Sequence, residues 1–317
     1  IRNTNVSKFI AATSLTGTND TIIEDNFFYA TAGASVVAAV SNNITVINNF
    51  IVNSSQGIRI IDGRGINEGG CYNNTIMNNL ILNTSGTIGN GIELFFNFDT
   101  RVINNSIQNA SDVGITIDSG FPATRRSSNI ILVNNTIDTT RDAGLLVTDT
   151  ANSSIENLIL KNTSTGTGAE ALSLVRNVRV ILRNIVIDGS HGDAIDISGV
   201  ESENHTLINV SISNVDPLNY DLRLFQDSPR RAYIIDSVIN NYTIPPGASG
   251  GSSLTIINSS AGEIAFISRI VQTGNLSSDI GIGFNLVSVN SSQTGLNKSA
   301  NITLYGSPAN GIRSPVI

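Results

Sequence analysis

The chain has 317 residues, of which 40% are hydrophobic, 14% charged and 5% aromatic, with a net charge of −7 and a pI near 4.8. An acidic surface without a basic run argues against nucleic acid or an anionic membrane as partner, and no apolar stretch reaches the ~18 residues of a membrane span. A single cysteine, Cys71, excludes an internal disulfide; the chain starts at Ile1 rather than Met, which reads as a mature or trimmed product.

Taken from the N-terminus, one strand-sized phrase recurs: a small residue, then apolar, variable, apolar. It appears as Gly33-Ala-Ser-Val, Gly57-Ile-Arg-Ile, Gly91-Ile-Glu-Leu, Gly114-Ile-Thr-Ile, Gly144-Leu-Leu-Val, Ala171-Leu-Ser-Leu, Ala194-Ile-Asp-Ile and Asp221-Leu-Arg-Leu. The starts lie 24, 34, 23, 30, 27, 23 and 27 residues apart, a period that signals a solenoid. A second phrase travels in register: apolar residues ending in Asn and running into another alternating strand, as in Ile44-Thr-Val-Ile-Asn-Asn49-Phe-Ile-Val and Ile76-Met-Asn-Asn79-Leu-Ile-Leu. Each coil therefore carries about three short strands of period two, each too thin to bury its own face. The expected fold is all-β: a right-handed, single-stranded parallel β-helix of about 8–10 coils over residues 1–245.

The recurring Asn residues have a structural role. Asn26, Asn49, Asn79, Asn105, Asn135, Asn157, Asn184 and Asn209 are expected at one corner of successive coils. There Asn tolerates a left-handed backbone, and amides stacked ~4.8 Å apart form a hydrogen-bonded ladder. Asn-X-Ser/Thr sites are also abundant, 19 in all. Those in turn-like polar runs, Asn53, Asn83, Asn109, Asn162, Asn241, Asn275 and Asn290, are the expected acceptors of N-linked glycans on an exported protein. No other cofactor or metal is expected.

The run Ile244-Pro-Pro-Gly-Ala-Ser-Gly-Gly-Ser-Ser has linker composition. Beyond it the coil phrases lose their spacing while alternation continues in Leu254-Thr-Ile-Ile and Glu263-Ile-Ala-Phe-Ile, so residues 246–317 are read as a small β module capping the open end.

The coil phrases resemble the generic repeats of the pectate-lyase-like β-helix superfamily, including its copper-accessory (NosD-like) group. The tail Asn285 to Tyr305 is similar to a module that follows such repeats in large surface proteins, many of them archaeal. The resemblance implies a fold and an extracellular, cell-surface location, not an activity. Its enzymatic marks are missing: Ser190-His191-Gly192-Asp193 is the nearest approach to a Gly-His-Gly phrase, and two His, one Met and one Cys are poor equipment for copper.

Two functions follow. The first is a non-enzymatic, glycosylated subunit of a surface layer, sheath or filament, assembled end to end through Ile1–Ala12 and Asn310–Ile317 into a homopolymer. The alternative is a carbohydrate-binding or polysaccharide-degrading β-helix. It would use the outward column of the first phrase (Ser35, Arg59, Glu93, Thr116, Leu146, Ser173, Asp196, Arg223). Glu93 and Asp118 fall on adjacent coils roughly 8 Å apart, within the window for an acid/base pair, with Arg59 one coil below. Asp196 lies too far along the stack to join Asp118. Phe95 and Phe225 are the aromatics expected near this face, few for binding sugars.

Overall fold

A computed structural model describes residues 1–7, 12–63, 69–120, 126–166, 169–199, 201–224, 231–246 and 252–305. The chain is a right-handed parallel β-solenoid of about nine turns. One turn illustrates all: Ile92–Phe95 forms the first face, Asn97–Phe98 a two-residue corner strand, Arg101–Ile103 the second face and Ser106–Ala110 the third. The chain then steps up to Ile115–Asp118, which pairs in parallel with Ile92–Phe95.

Period-two alternation aims every second residue inward. The first face contributes columns such as Ile58, Ile92, Ile115 and Leu145; the third contributes Ile51, Ile81, Ile107 and Ile137, all buried. Because each apolar side chain sits on its copy one rung away, the core is a set of continuous apolar stacks. The small residue that opens the first-face phrase has a steric cause. A Cβ on Gly57 would lie 2.1 Å from the Gly91 carbonyl oxygen, and one on Gly91 2.6 Å from that of Gly114.

Two Asn rows divide the work expected of one. Asn26, Asn49, Asn79, Asn105 and Asn135 are buried between the second and third faces. The Nδ2 of each of the first four donates to the Oδ1 of the next, at 2.9, 3.0, 3.0 and 3.1 Å. That Oδ1 also accepts the backbone N–H of the Asn below, as at Asn49 to Asn79 (3.0 Å). The left-handed backbone belongs instead to the preceding residue, Asn48, Asn78, Asn104 and Asn134. Asn157, Asn184 and Asn209 align with Asn134: they have φ of 53°, 54° and 52°, and their amides form an exposed row, each donating to the one below at 2.8 Å. At this point the inner position passes to buried Leu158, Ile185 and Val210. The upper coils thus exchange a hydrogen-bonded inner corner for an apolar one.

Parallel stacking continues through Leu254–Asn258, which pairs with Ala232–Ile235. Antiparallel strands follow: Gly262–Phe266 on Leu254–Asn258, Ala300–Leu304 on Gly262–Phe266, and Gln272–Asn275 on Asn241–Ile244. At the other end, Asn5–Ser7 pairs in parallel with Phe27–Tyr29 of the same chain, and the Ile1 amino group donates to Ile22 O at 2.8 Å. Residues 8–11, 247–251 and the whole of Asn310–Ile317 lie outside the described residues.

Candidate functional site

The outward column of the first face is set by strand register. Val37, Arg59, Glu93, Thr116, Leu146, Ser173, Asp196 and Arg223 stand one above another. Val37 holds the place expected for Ser35, which is buried and bonded to Thr31 at 3.0 Å.

Glu93 and Asp118 fall where expected, on adjacent rungs and one outward step apart, but each is committed locally. Arg59 grips Glu93 with Nε on Oε2 at 2.8 Å and Nη2 on Oε1 at 3.1 Å, and Gln56 adds a 3.4 Å hydrogen bond. Asp118 Oδ1 accepts the N–H groups of Ser119 (2.6 Å) and Gly120 (2.9 Å), capping a turn in which Gly120 has φ of +70°. A bidentate clamp and a turn cap are structural uses of a carboxylate. Phe95 packs edge-on against Phe96, ring centroids 4.9 Å apart; Phe225 lies outside the described residues.

A second cluster further along the column was not assembled by sequence reasoning. Register places Asp196 between Ser173 and Arg223. The Asp193 carbonyl accepts the Ala171 N–H, setting Glu170 beside Asp193. Asp196 faces away from the core, since Ile195 and Ile197 point inward, yet it is only 3% exposed. Its Oδ1 has no hydrogen-bond partner among the described residues. Burial first, and then the Glu170 charge, push its carboxyl up to about 7. Burial also pushes Glu170 up, with the Asp193 charge adding to it. Asp193 is held by two donors: its Oδ1 takes the Tyr220 N–H at 2.8 Å and its Oδ2 the Arg223 guanidinium at 3.3 Å. Three carboxylates and one arginine therefore converge on an outward face, one of them poised to carry a proton at neutral pH. A signal was present in the sequence: acidic residues precede the small residue in two successive phrases, Glu170-Ala171 and Asp193-Ala194.

His191 is an exposed partner of Asp216 at 3.2 Å, whereas His205 is wholly buried. Cys71 is buried. No helix among the described residues is long and apolar enough to cross a membrane.

Among the expected glycan acceptors, Asn53, Asn83 and Asn109 form one exposed row, Asn83 donating to Asn53 at 3.1 Å and Asn109 to Asn83 at 2.9 Å. Asn162 donates to Asp138 at 3.4 Å. Asn241 is exposed and pairs with Asn275, which caps a short helix by accepting the Ser278 N–H. Asn290 accepts the Ser292 N–H at 3.1 Å.

The sequence matches no family model and no curated protein. Solved structures do match in fold. The catalytic unit of a thermostable GH87 α-1,3-glucanase from Streptomyces thermodiastaticus superposes with a TM-score of 0.58 at 13% identity, covering 77% of this chain and 48% of that one. An alginate lyase from Paenibacillus gives 0.54 at 11% identity, covering 80% and 98%. PfbA, a surface adhesin of Streptococcus pneumoniae, gives 0.51 at 15% identity, covering 88% and 70%. The chain thus spans about half the length of the glucanase unit. These likenesses show the fold, a right-handed parallel β-helix; they reach neither the copper-accessory group nor an archaeal source. They also correct the expectation of a non-enzymatic filament or surface-layer subunit, because the chain shares its fold with catalytic glucanase and lyase structures. The physical reason for the error is that a stack of coils reads the same whether its outer face is inert or reactive; the fold shown is the right-handed parallel β-helix.

Proposed function

We propose that this chain is an exported polysaccharide-processing β-helix whose reaction centre is the outward face around Asp196. The observation that carries this reading is the desolvated Asp196, its Oδ1 without a hydrogen-bond partner among the described residues, set among Glu170, Asp193 and Arg223. A carboxyl that titrates near 7 still carries its proton in about half of the molecules at pH 7, and that form serves as general acid. Asp196 protonates the glycosidic oxygen as the bond to the anomeric carbon breaks. The Glu170 carboxylate, made more basic by burial, takes the proton of the water that attacks that carbon. Asp193, paired with Arg223, is the fixed charge that positions both. The Arg59–Glu93 clamp, five coils away or fewer along the same column, offers a rigid polar site for a long chain substrate.

Export accords with the 19 glycosylation sequons. Asn53 is the best acceptor in its row, since its Nδ2 donates no hydrogen bond among the described residues while those of Asn83 and Asn109 are engaged.

The test is release of reducing ends from a panel of neutral and uronate polysaccharides by the wild type and by Asp196→Asn. Loss of at least ~100-fold in the variant, with the fold retained by circular dichroism, is the expected result. Equal activity in the variant, or no activity of the wild type on any member, overturns the proposal. Unsaturated product ends would replace hydrolysis by elimination at the same site.

A further inference from the structure

The third face carries a feature that the reaction centre does not use. Phe27–Tyr29, Phe50–Val52 and Leu80–Thr84 stack in register, Phe27 beside Phe50 beside Leu80, and Tyr29 beside Val52 beside Leu82. Phe28, Ile51 and Ile81 point into the core, so those six side chains point outward. Tyr29 is 39% and Phe50 37% exposed. The rings are ordered against each other: the planes of Phe27 and Tyr29 are nearly parallel, 5° apart with centroids 6.3 Å apart, and Phe50 lies 5.4 Å from Phe27 at 57°.

The border of this patch is polar on both sides along the stack. Asn5 and Ser7 pair with Phe27 and Tyr29 on one side; Ser106 and Gln108 pair with Leu80 and Leu82 on the other. Asn83 adds an exposed amide where the strands end. The six outward positions carry no charge, and Asp25 stands at the corner just before Phe27.

We infer that this platform is a second carbohydrate-binding site, which holds pyranose rings of a neutral polysaccharide away from the reaction centre. Three features select that occupant. Flat aromatic faces match the aliphatic face of a pyranose, and the ring of amides and hydroxyls matches its equatorial hydroxyls. Absence of Lys or Arg from the six positions, with Asp25 at the corner, disfavours an acidic glycan. The ring surface left exposed is on the order of 200 Å², well short of the ~800 Å² per partner of a stable protein interface. The platform is also remote from Asp196: from the rung of Arg59, next after Phe50, to that of Asp196 is five steps, or roughly 24 Å along the axis. It thereby anchors a long chain without touching the bond being cleaved.

This inference rests on the polysaccharide reading, and the experiment separates the two. Protein made without glycans is pulled down with insoluble neutral polysaccharides (cellulose, xylan, α- and β-glucans), in parallel with activity on soluble substrate. The double variant Tyr29→Ala/Phe50→Ala alters only partly exposed rings, so the fold is retained. The expected result is at least tenfold weaker pull-down with unchanged turnover of soluble substrate. Equal pull-down by variant and wild type overturns the platform, as does a wild type that hydrolyses soluble substrate yet binds none of the solids; either leaves the reaction centre standing. Binding preserved in Asp196→Asn and lost in Tyr29→Ala/Phe50→Ala supports the platform even if no hydrolysis is found. Tighter binding to charged than to neutral polysaccharides overturns it.

Discussion

Arg176 holds Asp149 through two parallel hydrogen bonds, Nε to Oδ1 at 2.9 Å and Nη2 to Oδ2 at 2.8 Å, across one rung of the solenoid. Asp149 is wholly buried and has a left-handed backbone, φ 50°, so its charge depends on that guanidinium. Removing one partner of a buried pair costs more than the pair contributes, because the survivor remains desolvated. Arg176→Met is expected to lower stability by about 3 kcal/mol, and Asp149→Asn/Arg176→Met by distinctly less. Urea unfolding of the two variants and the wild type measures both; equal losses would contradict the account.

His205 predicts an acid sensitivity. Burial pushes its imidazole down to about 4 from an ordinary 6.5. Below pH 6.5 the unfolded chain takes up a proton that the folded chain refuses until about pH 4. Stability therefore falls as pH drops across that window, by about 3 kcal/mol in total, and is unaffected by this group above pH 7. The variant His205→Gln should flatten that part of the stability curve, read as urea midpoints between pH 4 and 7.

Asp196 has the opposite sense. Its carboxyl titrates near 7 in the folded state and near 3.8 when unfolded, so the folded chain holds the extra proton. Its contribution is neutral below pH 3.8 and increasingly unfavourable as pH rises to about 7, reaching on the order of 4 kcal/mol. Asp196→Asn should be more stable than the wild type at pH 8 and little different at pH 4. A gain in stability coupled to loss of activity is the mark of a strained functional group; a variant destabilised at pH 8 would argue that Asp196 is a structural residue.

The two Asn rows predict unequal costs. Asn79→Ala removes the acceptor of both the Asn49 N–H and its Nδ2, and takes from the Asn105 Oδ1 one of its two donors, the backbone N–H of residue 79 remaining, all in the buried corner. The expected loss is about 3 kcal/mol. Asn157→Ala, in the exposed row, should cost under ~1 kcal/mol, since water replaces its partners. Thermal melts of both proteins make the comparison; similar shifts would contradict the division into inner and outer rows.

Much of the architecture was legible because it is local and repeated. Alternation names the inward residues, the Gly-Ile-x-Ile phrase names the first face, and the interval between phrases demands a coil. Two errors came from the same source. The phrase pattern points to Ser35 as the outward residue where Val37 stands, and puts Asn157, Asn184 and Asn209 in the row of Asn135 rather than that of Asn134. A shift of one or two residues leaves the pattern of apolar letters almost intact while changing which side chain meets the solvent.

The linear chain by itself determined the solenoid, its three faces and its stacks of aliphatic residues, since these need only period-two strands repeated at coil-length intervals. Tertiary structure alone decided the chemistry. Glu170, Asp193, Asp196 and Arg223 are spread over 54 residues of sequence and meet because successive rungs lie ~4.8 Å apart. Whether a carboxylate on an outward column is a solvated charge, a clamp like Glu93 or a retained proton like Asp196 depends on what desolvates it. That information resides in neighbours from other coils, not in the residues beside it in the chain.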